Sequence, residues 1–371
     1  MEHGGDVYTE GILKGIELLD FSSNINPLGI PKSFKEHVNE ALESMERYPD
    51  IKYRELRKSL KEYIKFSESY FISQHKESTY GLGSGLQISE DNIVLGNGAA
   101  EIIDLVISCF SKVCIPIPSF IEYEKSAAKW GCSIAYSLMK EDMTYNYEDI
   151  LEKLKESEAL IIANPNNPNG MVLDKEVFKS ILDYCEKNCK VVVIDEAFIE
   201  FTGKRGFSFL KEVEKYSCLF IIRALTKFYA MPGVRFGYGI TKNMTLINKI
   251  QDKQNPWNIN CFAELAVKYV LKDKGYIEKS IEWIDKERQF MLCNLEKVSF
   301  IEKVYNSYSN FILCKLKNTN CHELYELCLE KEIAIRKCNN FKGLNENYIR
   351  LAVKDRKSNE RVLEVLNSLN L

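Results

Sequence analysis

The sequence has no long uninterrupted hydrophobic run and no marked excess of either charge. Without an apolar run as long as a membrane span, we expect no transmembrane helix. The formal net charge is −3, from 50 Lys and Arg against 53 Asp and Glu, so no basic surface for nucleic acid is expected. The first residues, MEHGGD, are polar and acidic, unlike a secretory signal. We therefore expect a cytoplasmic protein.

Histidine is also scarce, and this bears on metal binding. The four histidines have no metal-ligand spacing around the most suggestive cysteine pair, Cys185 and Cys189. The spacing of that pair matches none of the usual zinc patterns. Most of the 12 cysteines lie in apolar segments, as Cys114 and Cys218 do, which is typical of small buried side chains. We expect no metal site.

Apolar segments alternate with helical ones through the middle of the chain. Strands are predicted near 91–95, 113–115, 159–163, 191–194, 219–222 and 236–240, with an amphipathic helix over 100–107. Such strands predict an α/β fold with a mostly parallel sheet covered on both faces. After about residue 270, charged helices and short strands near 310–313 and 348–353 indicate a smaller α+β domain.

These patterns predict three parts: an N-terminal segment (1–45) that joins the small domain and covers the site, a large domain (46–270) and a small C-terminal domain (271–371). Residues 67–87 are rich in glycine and serine and have no apolar face, which predicts a surface insertion, a mobile loop or a lid.

Polar motifs follow several of the predicted strands. Gly96–Ala100 (GNGAA) leads into a helix, where small residues and free N–H groups suit an anion, although such turns are common. The loop 164–170 (NPNNPNG) is rigid enough to aim Asn167 inward, and Asp195 directly follows an apolar strand. Ligands in open α/β sheets bind beyond the carboxyl ends of the strands, so these motifs are expected to meet in one crevice.

Lys227 lies in the run 223–235 (RALTKFYAMPGVR), beside a hydroxyl and eight residues before Arg235. A lysine that bonds covalently to an aldehyde cofactor needs partial burial, so that its neutral amine is accessible. A cofactor phosphate needs a hydroxyl donor and a fixed guanidinium. A single lysine after a strand would be interpreted as an ordinary surface residue. The motifs that follow the neighbouring strands favour a cofactor site at Lys227 instead.

Together, the motifs NPNNPNG, DEAF (195–198) and RALTKFYAMPGVR resemble those of fold-type I pyridoxal-phosphate enzymes, most narrowly the histidinol-phosphate aminotransferase group and its threonine-phosphate decarboxylase branch in cobalamin biosynthesis. The narrower likeness rests on HGG (3–5), DFSSNINPLG (20–29), RYP (47–49) and the Phe of DEAF. It covers nearly all of the chain outside 67–87. It implies decarboxylation of L-threonine O-3-phosphate to (R)-1-aminopropan-2-yl phosphate, for the linker of the cobalamin nucleotide loop.

The resemblance also implies roles for individual residues. Lys227 would hold pyridoxal 5'-phosphate covalently and move protons at the substrate carbon, and Asp195 would pair with the ring nitrogen. Further cofactor contacts would come from Gly98, Ala99, Phe120, Asn167, Thr226 and Arg235, and from Tyr48 of the partner subunit of a homodimer. The phosphoamino acid would be bound by His3, Gly4, Asn24, Asn167, Arg336 and Arg350.

Two departures from the family pattern bear on the reaction. Phe198 replaces a tyrosine of many aminotransferases and favours the decarboxylase branch, and Ala224 replaces a phosphate-binding serine or threonine. Three functions remain open: a decarboxylase of threonine phosphate or serine phosphate, a histidinol-phosphate-type aminotransferase, and a binding protein without catalysis. The joint presence of Lys227, Asp195 and Arg235 disfavours the last.

Overall fold

The structure of the protein is a computed structural model that describes residues 4–72, 86–203 and 205–371. Its strands are β1 (Leu19–Asp20), β2 (Ile93–Gly96), β3 (Lys112–Ile117), β4 (Ser133–Leu138), β5 (Ala159–Ala163), β6 (Val191–Asp195), β7 (Leu219–Ala224), β8 (Gly237–Ile240), β9 (Ile301–Val304), β10 (Phe311–Leu316), β11 (Ile333–Ala334), β12 (Arg336–Lys337) and β13 (Tyr348–Ala352). Its α-helices are α1 (Lys32–Lys35), α2 (Val38–Ser44), α3 (Arg54–Ile72), α4 (Ala99–Ile107), α5 (Glu122–Lys129), α6 (Tyr147–Lys155), α7 (Lys175–Lys187), α8 (Met244–Gln251), α9 (Cys261–Tyr269), α10 (Lys274–Leu295), α11 (Cys321–Leu329) and α12 (Arg356–Ser368).

The central sheet has seven strands in the order β2-β8-β7-β6-β5-β3-β4. Pairing is parallel from β7 through β6, β5 and β3 to β4, and β8 runs antiparallel to both β2 and β7. The predicted α/β fold with a mostly parallel sheet is thus confirmed. Because β8 runs antiparallel to both of its neighbours, β2 has the same direction as β7. The carboxyl ends of β2, β5, β6 and β7 therefore lie at one edge of the sheet.

Both faces of this sheet are buried, which explains why its inner strands read as continuous apolar runs. Val192 and Ile194 of β6 pack into one hydrophobic cluster with α6 and α7. Val193 between them packs into a second cluster with α4, α5 and α8. Strand β4 was not predicted from the sequence, because this edge strand is largely half-buried and has no continuous apolar run.

A second, antiparallel sheet has the order β12-β13-β10-β9. The N-terminal segment joins this part of the chain, since β1 pairs in parallel with β11. Phe21 donates its N–H to the carbonyl of Ala334, at 2.7 Å, and accepts from Ala352. Five residues later, the N–H of Asn26 donates to the carbonyl of Lys227, at 3.2 Å. The segment therefore runs from the second sheet to the loop that follows β7.

The surface segment predicted over 67–87 does not begin at residue 67. Helix α3 continues to Ile72, and Ser67 and Phe71 within it are buried, as is Leu86. The remainder of that expectation, 73–85, lies outside the described residues. None of the helices in the described ranges has the length and apolar character needed to cross a bilayer.

Candidate active site

The loops after β2, β5, β6 and β7 meet at a cavity of about 260 Å³. The second sheet and the N-terminal segment close its other side. Most residues that the sequence predicted for the site line this cavity: Gly4, Asn24, Ala99, Phe120, Asn167, Asp195, Thr226, Lys227, Arg235, Arg336 and Arg350. Strand polarity explains the convergence, because carboxyl ends of parallel strands present their loops at the same edge.

Lys227 follows β7 and lies in a strongly desolvated, positively charged setting. Its burial lowers the pKa of the amine to about 8, and the charges of Arg350 and Arg235 act in the same direction. A lower pKa increases the fraction of neutral amine near neutral pH. The arrangement therefore suits a lysine that acts as a nucleophile and later as a proton carrier.

Asp195 is the last residue of β6 and is buried. The hydroxyl of Tyr123 donates to its Oδ2 at 2.7 Å, and the N–H of Ala197 donates to its Oδ1 at 3.0 Å. Burial raises the pKa of this carboxyl, and both hydrogen bonds oppose the rise. A buried carboxylate of this kind is stabilised by a cation facing it from the cavity.

The start of α4 forms a cradle for an anion. The first N–H groups of a helix have no intrahelical acceptor, and the helix dipole favours negative charge there. Gly98 precedes the helix with φ of 81°, and a Cβ added to it would lie 2.5 Å from Nη2 of Arg235. Arg235 therefore lies directly against Gly98, beside Ala99. Thr226 adds a buried hydroxyl nearby, whereas Ala224 contributes only a methyl group to the lining.

The loop 164–170 is held by its own asparagines. Nδ2 of Asn166 donates to the carbonyl of Pro118 at 3.0 Å and to Oδ1 of Asn169 at 2.9 Å. Nδ2 of Asn169 donates to the carbonyl of Met143 at 2.7 Å. These bonds leave Asn167 facing the cavity, where its Oδ1 accepts a hydrogen bond from Nη1 of Arg350.

Two buried arginines lie opposite each other in the second sheet, where Arg336 of β12 is in register with Arg350 of β13. Arg350 donates to the carbonyl of Ser22 at 3.0 Å, and its Nε has no hydrogen-bond partner among the described residues. Burial, together with the positive charge of Arg336, lowers the pKa of Arg350 to about 10. Like charges in register are unfavourable on their own, so this pair favours an anion between them.

The N-terminal segment covers the arginines and requires a glycine to do so. A Cβ on Gly4 would lie 2.0 Å from the carbonyl oxygen of Ser22 and 3.5 Å from Cδ of Arg336. Asn24 is buried beside them, and its Oδ1 has no hydrogen-bond partner in the described protein. His3, which was predicted to bind substrate, lies outside the described residues.

Two further predicted residues do not line the cavity. Gly98 stands behind Arg235 rather than at the surface of the cavity. Tyr48 is 78% exposed, and its ring lies 4.7 Å from that of Trp257. Among the described residues, no group of three or more His, Cys, Asp or Glu side chains could hold a metal ion.

Several residues that line the cavity were not predicted from the sequence, above all Tyr123, Ser22, Ser23 and Phe341. Tyr123 follows Phe120 by three positions, and their rings meet edge to face at 5.8 Å. An aromatic residue three positions after Phe120, at the start of α5, was the sequence feature that could have identified Tyr123. The two serines belong to the DFSSN motif, and their hydroxyls donate to Asp20. Phe341 had no local signal.

A family model described as aminotransferase class I and II matches residues 16–366. The chain belongs to this family. Threonine-phosphate decarboxylase from Salmonella typhimurium is 31% identical over 99% of this chain and 96% of its own length. A protein from Caldanaerobacter subterraneus subsp. tengcongensis, provisionally described as a threonine-phosphate decarboxylase, is 38% identical over 99% of this chain and 94% of its own.

Among solved structures, the histidinol-phosphate aminotransferase from Clostridium acetobutylicum has a TM-score of 0.86 and 48% identity. The match covers 94% of this chain and 98% of that one. The fold expected from the sequence, that of fold-type I pyridoxal-phosphate enzymes, is therefore confirmed, and so is the cofactor, pyridoxal 5'-phosphate.

The residues present fit this aminotransferase-family cofactor. The buried Asp195 carboxylate is stabilised by a cation that faces it, and the protonated ring nitrogen of the cofactor would be that cation. The cradle formed by α4, Thr226 and Arg235 suits its phosphate. Lys227, with its lowered pKa, suits the aldehyde. When bound, the cofactor serves as an electron sink for a bond that breaks at the substrate α-carbon.

Proposed function

We propose that this protein decarboxylates L-threonine O-3-phosphate with pyridoxal 5'-phosphate, giving (R)-1-aminopropan-2-yl phosphate for the cobalamin linker. The observation that carries the proposal is the buried pair Arg336 and Arg350, in register across β12 and β13. Threonine phosphate has two anionic groups, a carboxylate and a phosphate. In the alternative, the two kinds of anion lie on different molecules, the phosphate on histidinol phosphate and the carboxylates on the keto acid that accepts the amino group. Two buried cations that face one cavity match the two anions that threonine phosphate presents together.

The names of relatives include both activities, so the proposal rests on the charged residues that line the cavity rather than on a name. The two relatives at 38% and 31% identity are described as threonine-phosphate decarboxylases, whereas the structure at 48% identity is described as a histidinol-phosphate aminotransferase.

The residues of the site would direct the reaction through orientation. Only a bond that stands perpendicular to the plane of the cofactor ring overlaps the π-system of the ring, so only that bond can pass its electrons into the ring. Arg350, held by Ser22 and Asn167, would anchor one anionic group of the substrate, and Arg336 the other. The binding energy of the remote phosphate would then fix the carboxylate in the reactive direction. Lys227 would return a proton to the α-carbon after CO₂ has left.

We also propose a cytoplasmic homodimer in which Tyr48 of the partner subunit contacts the cofactor phosphate. The 78% exposure of Tyr48 and its position outside the cavity of its own chain support this role. The division into 1–45, 46–270 and 271–371 is part of the proposal. Two separate sheets support it, as does the pairing of β1 with β11.

The test is a direct comparison of products. Purified enzyme should release CO₂ from L-threonine O-3-phosphate, more slowly from L-serine O-phosphate, and least from threonine. Threonine lacks the phosphate whose binding energy orients the scissile bond. Transfer of the amino group from histidinol phosphate to a keto acid should be much slower than CO₂ release. Faster amino transfer would overturn the proposal in favour of the aminotransferase.

A variant pair sharpens this test. Arg350→Met should lower kcat/KM for threonine phosphate by at least about thirtyfold, since losing one partner of a buried charged contact costs about 2 kcal/mol or more. Arg361→Met, which alters an exposed arginine of α12, should leave it unchanged. Equal activity of the two variants would show that Arg350 does not bind the substrate.

A further inference from the structure

The carboxylate of Asp195 accepts a hydrogen bond at each of its two oxygens. Its Oδ1 accepts the N–H of Ala197, and its Oδ2 accepts the hydroxyl of Tyr123, 72 residues earlier in the chain. We propose that Tyr123 is a positioning residue that fixes Asp195, in orientation and in its ionised form, for the ring nitrogen of pyridoxal phosphate. The proposal rests on the cofactor of the family and not on which amino acid is the substrate.

The fold explains why this tyrosine reaches this aspartate. Side chains alternate along a strand, so Asp195 points to the same face of the sheet as Val193. Val193 packs in the cluster that includes Tyr123 of α5. Tyr123 is fully buried, and its ring lies edge to face on Phe120, which borders the cavity. The hydroxyl is therefore held in place by packing.

The direction of the hydrogen bond is also fixed. Burial and the charge of Asp195 raise the pKa of the Tyr123 phenol well above its ordinary value, so the phenol stays protonated and donates. For Asp195, burial and the neighbouring Glu196 raise the pKa, and the Tyr123 hydrogen bond is the strongest influence that lowers it. Without that hydroxyl, the carboxyl would hold its proton more tightly. A neutral carboxyl would no longer keep the ring nitrogen protonated.

The experiment uses holoenzyme without substrate. Tyr123→Phe and wild type are loaded with pyridoxal phosphate carrying ¹⁵N in the ring, and the nitrogen shift is followed against pH by NMR. In the variant, the ring nitrogen should lose its proton at a lower pH. The cofactor dissociation constant should rise about ten- to a hundredfold, as expected for a lost hydrogen bond to a charged group.

The matched control is Tyr216→Phe. Tyr216 is also buried, and its hydroxyl donates to Oδ1 of Asp183 at 2.6 Å; neither residue lines the cavity. It should leave both readouts unchanged. Equal effects of the two variants would mean that Tyr123 has only a packing role, and the proposal would fail.

A double-mutant cycle tests whether Tyr123 affects cofactor binding through Asp195. If Tyr123 acts through the charge of Asp195, adding Tyr123→Phe to Asp195→Asn should weaken cofactor binding little beyond Asp195→Asn alone. Fully additive losses would overturn the proposal. Because neither readout requires turnover, a failed decarboxylation assay would contradict the proposed substrate while leaving this result intact.

Discussion

Asp195 ends β6 and Lys227 lies in the loop after the neighbouring strand β7, and burial affects the pKa of both. Burial disfavours the charged form of each side chain, so the pKa of the lysine is lowered and that of the aspartate is raised. For Lys227, the neutral form is the reactive one. For Asp195, the charged form is useful, and hydrogen bonds from Tyr123 and Ala197 oppose the rise in its pKa. One environment thus serves two opposite requirements.

At this scale we predict the pH dependence of cofactor capture. An amine with a lowered pKa loses its proton at a lower pH, so the rate at which apo-enzyme captures pyridoxal phosphate should rise with pH through about 8. The measurement is peptide mapping after borohydride reduction at a series of pH values, with Lys227→Ala as the unlabelled control. Labelling of another lysine, or a midpoint near about 10.4, the value of an exposed lysine, would contradict this assignment.

At the scale of elements, the turn between β2 and α4 is set by a close approach of two segments. Gly98 has positive φ, and the guanidinium of Arg235 occupies the space that a side chain at 98 would need. The helix N-terminus and the arginine are thereby brought to the same end of the cavity. The anion cradle is therefore a property of packing between two loops rather than of one motif.

We predict that Gly98→Ala weakens cofactor binding about tenfold or more, because displaced Arg235 loses a charge-assisted contact with the phosphate. Gly131→Ala is a matched control, since Gly131 also has positive φ but no atom near its added Cβ. From backbone conformation alone, Gly98→Ala should lose about 1–3 kcal/mol of stability, since φ of 81° with ψ of 161° is open almost only to glycine. Gly131→Ala, at φ of 67°, should lose about 1–2 kcal/mol. Equal cofactor affinity in the two would show that Arg235 does not contact the phosphate.

At the scale of the whole molecule, the cavity is assembled from three regions of the chain. The central sheet supplies Lys227 and Asp195, the second sheet supplies Arg336 and Arg350, and the N-terminal segment supplies Gly4 and Asn24. The proposed dimer adds a fourth contribution, because Tyr48 is exposed on its own chain.

Hybrid dimers test this contribution. We predict that Tyr48→Ala and Lys227→Ala are each severely impaired alone. Mixed after dissociation, they should regain about a quarter of wild-type activity, since half of randomly formed twofold dimers are hybrids and each restores one site of two. Activity of the mixture no greater than that of its components would place Tyr48 and Lys227 in sites within single subunits.

The sequence alone was sufficient for the inner strands of the central sheet and for the cofactor. Strands such as β5 and β6 are buried on both faces, so continuous apolar runs reveal them, and the motifs around Lys227 and Asp195 are local in the chain. The half-buried edge strand β4 lacks that signal. Only the tertiary structure placed Arg336 opposite Arg350 and Tyr123 against Asp195. Those contacts depend on strand order and register between distant segments, which no local periodicity encodes.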